Sequence, residues 1–227
     1  MLHWFALLAW VTAAAQSPVF HLGPDIAAPF VVSKGTPEYS DEARLAKLEG
    51  SVQLTLVVDA DGKPSDIQVI RPLGLGLDER AVENAGSWQF KPGTKAGVSV
   101  AVMANEEVFF RVQRTLWDWH VVRAIFQPPA QATRPVLIKV KFPATIPLEE
   151  NASVTIAFDV ARNGVPANLR VVKSSAAKWE GDLLAAVRDG WRFRPGIMDH
   201  KPVTVPAWFE FVRGSHSPIP PAQITAR

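Results

Sequence analysis

The chain has 227 residues, no cysteine and a formal net charge of +2. Without cysteine there is no disulfide framework, thiolate zinc site or cysteine nucleophile, and so balanced a charge excludes the basic footprint of a nucleic-acid-binding protein. With 48% hydrophobic and 20% charged residues the composition is globular, and the length suits two compact domains.

The charge is divided unevenly. Residues 1–115 carry 10 Lys+Arg against 13 Asp+Glu, a net of −3, and residues 116–227 carry 14 against 9, a net of +5. Opposite biases in the two halves support two units.

Met1–Ala15 has no Lys, Arg, Asp or Glu. Trp4–Thr12 is apolar, and Ala13-Ala14-Ala15 supplies a small-x-small cleavage pattern before Gln16. Residues 1–15 are therefore expected to be a secretory signal peptide cleaved after Ala15, because the run is shorter than the roughly 20 residues that span a bilayer. An N-terminal core helix and a short uncleaved inner-membrane anchor are the alternatives. Residues 16–36 follow as an N-terminal extension.

A short helix comes next, with Ser40 as N-cap, Asp41 and Glu42 in its first turn, and Gly50 as its end. Val52, Leu54, Leu56 and Val58 then alternate as one face of a strand. Asp61-Gly62 predicts a hairpin turn, since glycine accepts positive φ without steric cost. Ile67–Ile70 is the return strand. Leu77-Asp78 opens a helix over Glu79–Ala85, with Asp78 expected as N-cap. Trp88-x-Phe90-x-Pro92-Gly93 follows, with both aromatic rings on one face, and then a third strand from Val98 to Arg111.

The pattern repeats about 102 residues later. Val154–Val160 alternates in the same phase, Asn163-Gly164 is the turn, and Leu169–Val172 is the return strand. A helix carrying Leu183, Leu184 and Val187 follows Gly181-Asp182. It runs into Trp191-x-Phe193-x-Pro195-Gly196 and a strand that reaches Arg213. The predicted fold is α+β: two tandem two-layer β-β-α-β units, each a three-stranded antiparallel sheet with a covering helix. The expected domains are residues 37–112 and 136–213. An aromatic, Pro-rich linker of residues 113–135 joins them; with Trp117, Trp119 and Phe126 it is too aromatic to hang free and is expected to pack along one or both domains, and residues 214–227 form a Pro-rich tail. Val136–Phe142 is expected as an extra strand leading the second unit.

No motif points to catalysis. There is no G-x-S-x-G elbow, and Gly74-Leu75-Gly76 lacks the rest of a dinucleotide fingerprint. The five histidines show no metal-binding spacing. Asp59-x-Asp61-Gly62 lacks the further ligands of a calcium loop and is a turn. The expected protein is not an enzyme and holds no cofactor. Arg188, Arg192 and Arg194 make a basic stretch, expected as a solvated face.

The residues Pro37-x-Tyr39, Glu42-Ala43, Gly50-Ser51-Val52, Asp59-x-Asp61-Gly62, Leu77-Asp78, Ala81 and Trp88-x-Phe90-x-Pro92 resemble the C-terminal domain of the TonB family. The likeness covers about Pro37–Val112, and Ser153–Val212 is a divergent second copy. It lacks the leading Tyr-containing helix and the Leu-Asp pair. The resemblance implies a periplasmic protein-interaction module linked to TonB-dependent transport. Its partner would be an outer-membrane TonB-dependent receptor or another envelope protein, met by strand addition. The family's uncleaved anchor and long Pro/Lys/Glu spacer are not visible in this sequence. The third strand of the first unit is the last element of its unit and a candidate sheet edge. The expected partner-binding residues are Tyr39, Val108, Phe109, Phe110 and Arg111. The alternative is a non-catalytic envelope protein that binds peptidoglycan, and a second copy of the chain is a further candidate partner.

Overall fold

The computed structural model describes residues 18–111, 119–143 and 151–213. The expected signal peptide and tail lie outside the described residues.

The first unit opens with three short strands, β1 (Val19–Phe20), β2 (Ile26–Ala27) and β3 (Phe30–Ser33). Helix α1 (Asp41–Leu45) follows, and the Ser40 hydroxyl accepts the Ala43 amide at 3.1 Å as its cap. Then come β4 (Gly50–Val58), β5 (Pro64–Arg71), α2 (Leu77–Gly86), β6 (Gln89–Lys91), β7 (Gly93–Lys95) and β8 (Val98–Phe110). The second unit runs β9 (Trp119–Phe126), β10 (Val136–Lys139), β11 (Ala152–Val160), β12 (Pro166–Ser174), α3 (Ala177–Gly190), β13 (Arg192–Arg194), β14 (Gly196–Met198), β15 (Lys201–Val203) and β16 (Val205–Arg213).

Each unit is built on a hairpin and a long antiparallel strand. β4 lies between β5 and β8, and β11 lies between β12 and β16. The alternating residues Val52, Leu54, Leu56 and Val58 are buried, as are Val154, Ile156, Phe158 and Val160. Helix α2 covers β5 and β4, and α3 covers β12. Trp88 and Trp191 are almost fully buried beneath these layers. At both hairpin tips a glycine is required. A Cβ on Gly62 or Gly164 would lie 1.9 Å from the carbonyl oxygen of Phe90 or Phe193. The same glycines accept the Phe90 and Phe193 amides at 2.9 and 2.8 Å. The Trp-x-Phe strand is thereby tied to the hairpin turn in both copies.

The fold is α+β with mostly antiparallel strands in two tandem units, and its sheets are larger than three strands. β8 has 13 residues and outruns β4, so its early part also pairs with β7 and, in parallel, with β1. The second sheet gains β9 as a fourth strand, in the order β12-β11-β16-β9. The segment expected as a linker therefore contributes a sheet strand. Val136–Phe142 forms only the short β10, which pairs with β13 outside the main sheet. Its counterpart is β3 with β6, where Val31 faces Phe90 as Leu137 faces Phe193. The repeat thus reaches back into the segment expected as an N-terminal extension.

Two helix expectations are also corrected. The N-cap of α2 is Gly76, and Asp78 lies inside the helix. Its carboxylate accepts the Leu73 and Gly74 amides at 2.7 and 3.0 Å, so it holds the loop that enters the helix. Helix α3 starts at Ala177, ahead of Gly181-Asp182.

The units share one buried cluster. β9 faces β16 on one side and the first unit on the other. The Val121 amide donates to the Ala46 carbonyl at 3.2 Å, the Glu49 amide donates to the Val121 carbonyl at 3.1 Å, and the Ala124 amide donates to the Leu73 carbonyl at 3.0 Å.

Candidate functional site

The expected site residues fall on and beside the end of β8. This strand pairs with β4 through nine consecutive residue pairs, from Val58↔Val102 to Gly50↔Phe110, without a register shift. A strand has two hydrogen-bonding edges, and β4 occupies one. β1 reaches the other only at Ala101 and Val102. Among the described residues no strand pairs with the outer edge from Met103 to Phe110. A regular, unpaired edge presents a row of backbone donors and acceptors.

The side chains of this stretch have distinct tasks. Val108 and Phe110 are buried on the helix-facing side, so their side chains belong to the core. Phe109 is 38% exposed on the opposite face, and Arg111, which is also exposed, places its guanidinium 5.8 Å from the Phe109 ring. Tyr39 stands just before α1, half-buried, with its ring edge-on to Phe110 at 5.5 Å. Its hydroxyl donates to the Leu48 carbonyl at 3.1 Å. Burial, reinforced by the Glu49 carboxylate, holds that hydroxyl well above the ordinary tyrosine range and keeps it a neutral donor. What the edge offers an incoming strand is therefore main chain, flanked by Phe109 and Arg111 on the outer face.

Charge along the edge is locally balanced. Lys34 pairs with Glu106 at 3.1 Å and its ammonium lies 4.1 Å from the centre of the Trp88 ring. Ser51 donates to Glu107 across the β4–β8 pair.

The sheet's opposite edge is different. β5 pairs with β4 through two register shifts, between Gln53 and Leu54 and between Thr55 and Val57. Such irregularities blunt an edge against further pairing. β12 has the same two interruptions against β11.

The second unit supplies an internal comparison. β16 pairs with β11 through nine consecutive pairs, from Val160↔Val205 to Ala152↔Arg213, in the register of β8 on β4. The outer edge of β16 carries β9, antiparallel, from Ala207↔Phe126 to Arg213↔Trp119. The position left unpaired on β8 among the described residues thus holds a strand on β16. The aromatic spacing of this stretch points to a packed segment, but not to a strand of the second sheet.

A concave surface of about 880 Å³ lies where the units meet, lined by Ser40, Val69, Asp78, Glu79 and Arg134 among others. Its buried charges are already engaged, Arg134 with Glu42 and Asp78 with two backbone amides.

The architecture is that of a tandem α+β module whose repeats share one register and differ in what covers the outer strand. The family described as Gram-negative bacterial TonB protein C-terminal matches residues 35–112 and 146–212, more than half the chain, and the chain belongs to that family. It is 29% identical over 105 residues to Protein TonB of Escherichia coli (strain K12), covering 46% of this chain and 41% of that protein. It is 30% identical over 79 residues to Protein TonB of Pseudomonas aeruginosa, covering 34% of this chain and 23% of that protein. The chain thus matches less than half the length of either relative. A solution NMR structure of the Pseudomonas aeruginosa TonB CTD matches 44% of this chain and 99% of its own, with 24% identity and a TM-score of 0.32.

Proposed function

We propose that this chain is a non-catalytic interaction module of the Gram-negative envelope that takes an extended segment of an outer-membrane TonB-dependent receptor onto the outer edge of β8. One observation carries the reading. The edge from Met103 to Phe110 is regular and unpaired among the described residues, while the equivalent edge of β16 already accepts a strand. Main-chain hydrogen bonds supply most of the affinity in strand addition. Family membership supports the receptor as partner. The apolar leader before Gln16 supports export and a periplasmic location, with residues 1–15 removed.

The test is a titration of a receptor-derived extended peptide followed by amide NMR. Shifts are expected to concentrate in residues 103–111. One of Val108→Pro and Phe109→Pro abolishes binding, because alternate amides face the edge and proline removes a donor. Shifts confined to the second unit, or none at all, overturn the reading. N-terminal sequencing of the periplasmic fraction is expected to begin at Gln16.

A further inference from the structure

We infer that Trp119–Phe126 is a built-in occupant of the second unit's strand-accepting edge, so that the chain offers one such edge rather than two. The role of this occupant rests on the strand-accepting function proposed for β8, while its placement rests on independent geometry. The two units match pair for pair from β4–β8 to β11–β16. Duplication therefore yields two equivalent outer edges. On the second, β9 lies antiparallel through seven pairs and buries Trp119, Val121 and Ala124.

β9 is also held from behind. Val121 and Ala124 direct their amides away from β16, to the carbonyls of Ala46 and Leu73. Hydrogen bonding alternates along an antiparallel strand, so Arg123 and Ile125 turn theirs toward β16. Gln127 continues the attachment, its amide donating to the Pro206 carbonyl at 2.9 Å. An incoming strand would have to break both rows of bonds to displace β9. On the β8 edge from Met103 to Phe110 it would break neither among the described residues. The second unit consequently works as a closed brace for the first.

Two measurements on the full chain test this. Residue-resolved hydrogen exchange is expected to show every β16 amide from Ala207 to Arg213 protected, while alternate amides from Met103 to Phe110 exchange at least ~100-fold faster. Fast exchange at alternate β16 amides overturns the inference, whatever any peptide does. The second measurement uses a synthetic peptide with the Trp119–Phe126 sequence and a lysine tail for solubility. It is expected to saturate at one peptide per chain, with shifts confined to the β8 edge. Two peptides per chain, or shifts in residues 205–213, overturn the inference. Ile125→Pro, which removes a donor to β16, is expected to speed exchange at the β16 amides that face β9 and to leave the stoichiometry at one. A protected β16 edge with no peptide bound at β8 would instead count against the proposed function and leave the closed second edge standing.

Discussion

Arg134, in the segment that leads the second unit, grips Glu42 of helix α1 with both guanidinium nitrogens, at 2.9 and 2.8 Å. The same carboxylate accepts the Leu137 amide at 2.9 Å. One glutamate therefore ties two elements of the second unit to the first. A two-pronged pair of this geometry is stronger than a single contact.

Arg134→Met is expected to lower stability. Removing one partner of a buried pair strands the other charge, at about 3–5 kcal/mol for full burial. Arg134 keeps 33% of its side chain exposed against 10% for Glu42, so the loss is expected near about 2–3 kcal/mol. Glu42→Leu is expected to cost more, because it also leaves the Leu137 amide without an acceptor. Urea denaturation midpoints check the order.

Two glycine substitutions are expected to act in opposite directions. Gly74 has φ +98°, and a Cβ there would lie 1.9 Å from the Ala124 carbonyl oxygen. Gly74→Ala must push β9 away from the first unit, and a loss of more than about 2 kcal/mol is expected. Gly181 sits within α3 with nothing within 4 Å of the added carbon. Gly181→Ala is expected to stabilise by roughly 0.5–1 kcal/mol. Thermal melts of the two variants should straddle that of the parent chain.

Trp88→Ala is expected to cost about 3–5 kcal/mol. The ring is 1% exposed, and its Nε1 donates to the Asn84 side chain at 2.9 Å. Gln89→Ala, whose side chain is exposed, should stay within roughly 0.5 kcal/mol. Similar denaturation midpoints for the two variants would show that the faces of β6 are assigned wrongly.

The Asp78 carboxyl is expected to titrate above its ordinary value of 3.8. Burial raises it, and the hydrogen bonds from the Leu73 and Gly74 amides only partly offset the rise. Between the unfolded and folded midpoints the folded chain binds more protons, so this group favours the fold as pH falls through that window. Above the folded midpoint its ionised form opposes folding. Carboxyl carbon NMR titration of Asp78 checks the midpoint.

Much of this architecture is legible in the sequence. The hairpins follow from alternation that ends at Asp61-Gly62 and Asn163-Gly164. The buried aromatic pairs follow from Trp-x-Phe spacing. β9 is not legible, and the reason is local. Its register on β16 shifts between Glu210 and Phe211, so Trp119 and Val121 face inward, and then Ala124 does. A one-residue slip destroys the period-2 pattern that identifies a strand. Asp78 misleads for a different reason. An aspartate beside a helix start resembles a cap, but its oxygens here serve amides that precede the helix. The β8 edge is inferable as the end of a unit and from the family resemblance, which points to the same strand. Its regular pairing and the filled edge of β16 belong to tertiary structure.

The hydrogen bonds behind β9 also have a mechanical meaning. The Val121 amide and carbonyl and the Ala124 amide hold neighbouring stretches of the first unit, at Ala46, Glu49 and Leu73. A tension between the units would load these bonds together with the Arg134–Glu42 pair. Bonds loaded together must fail together, whereas bonds at the end of a slack tether fail in turn. Traction on the chain would meet a stiff joint, and the unit beyond it would serve as the anchor block.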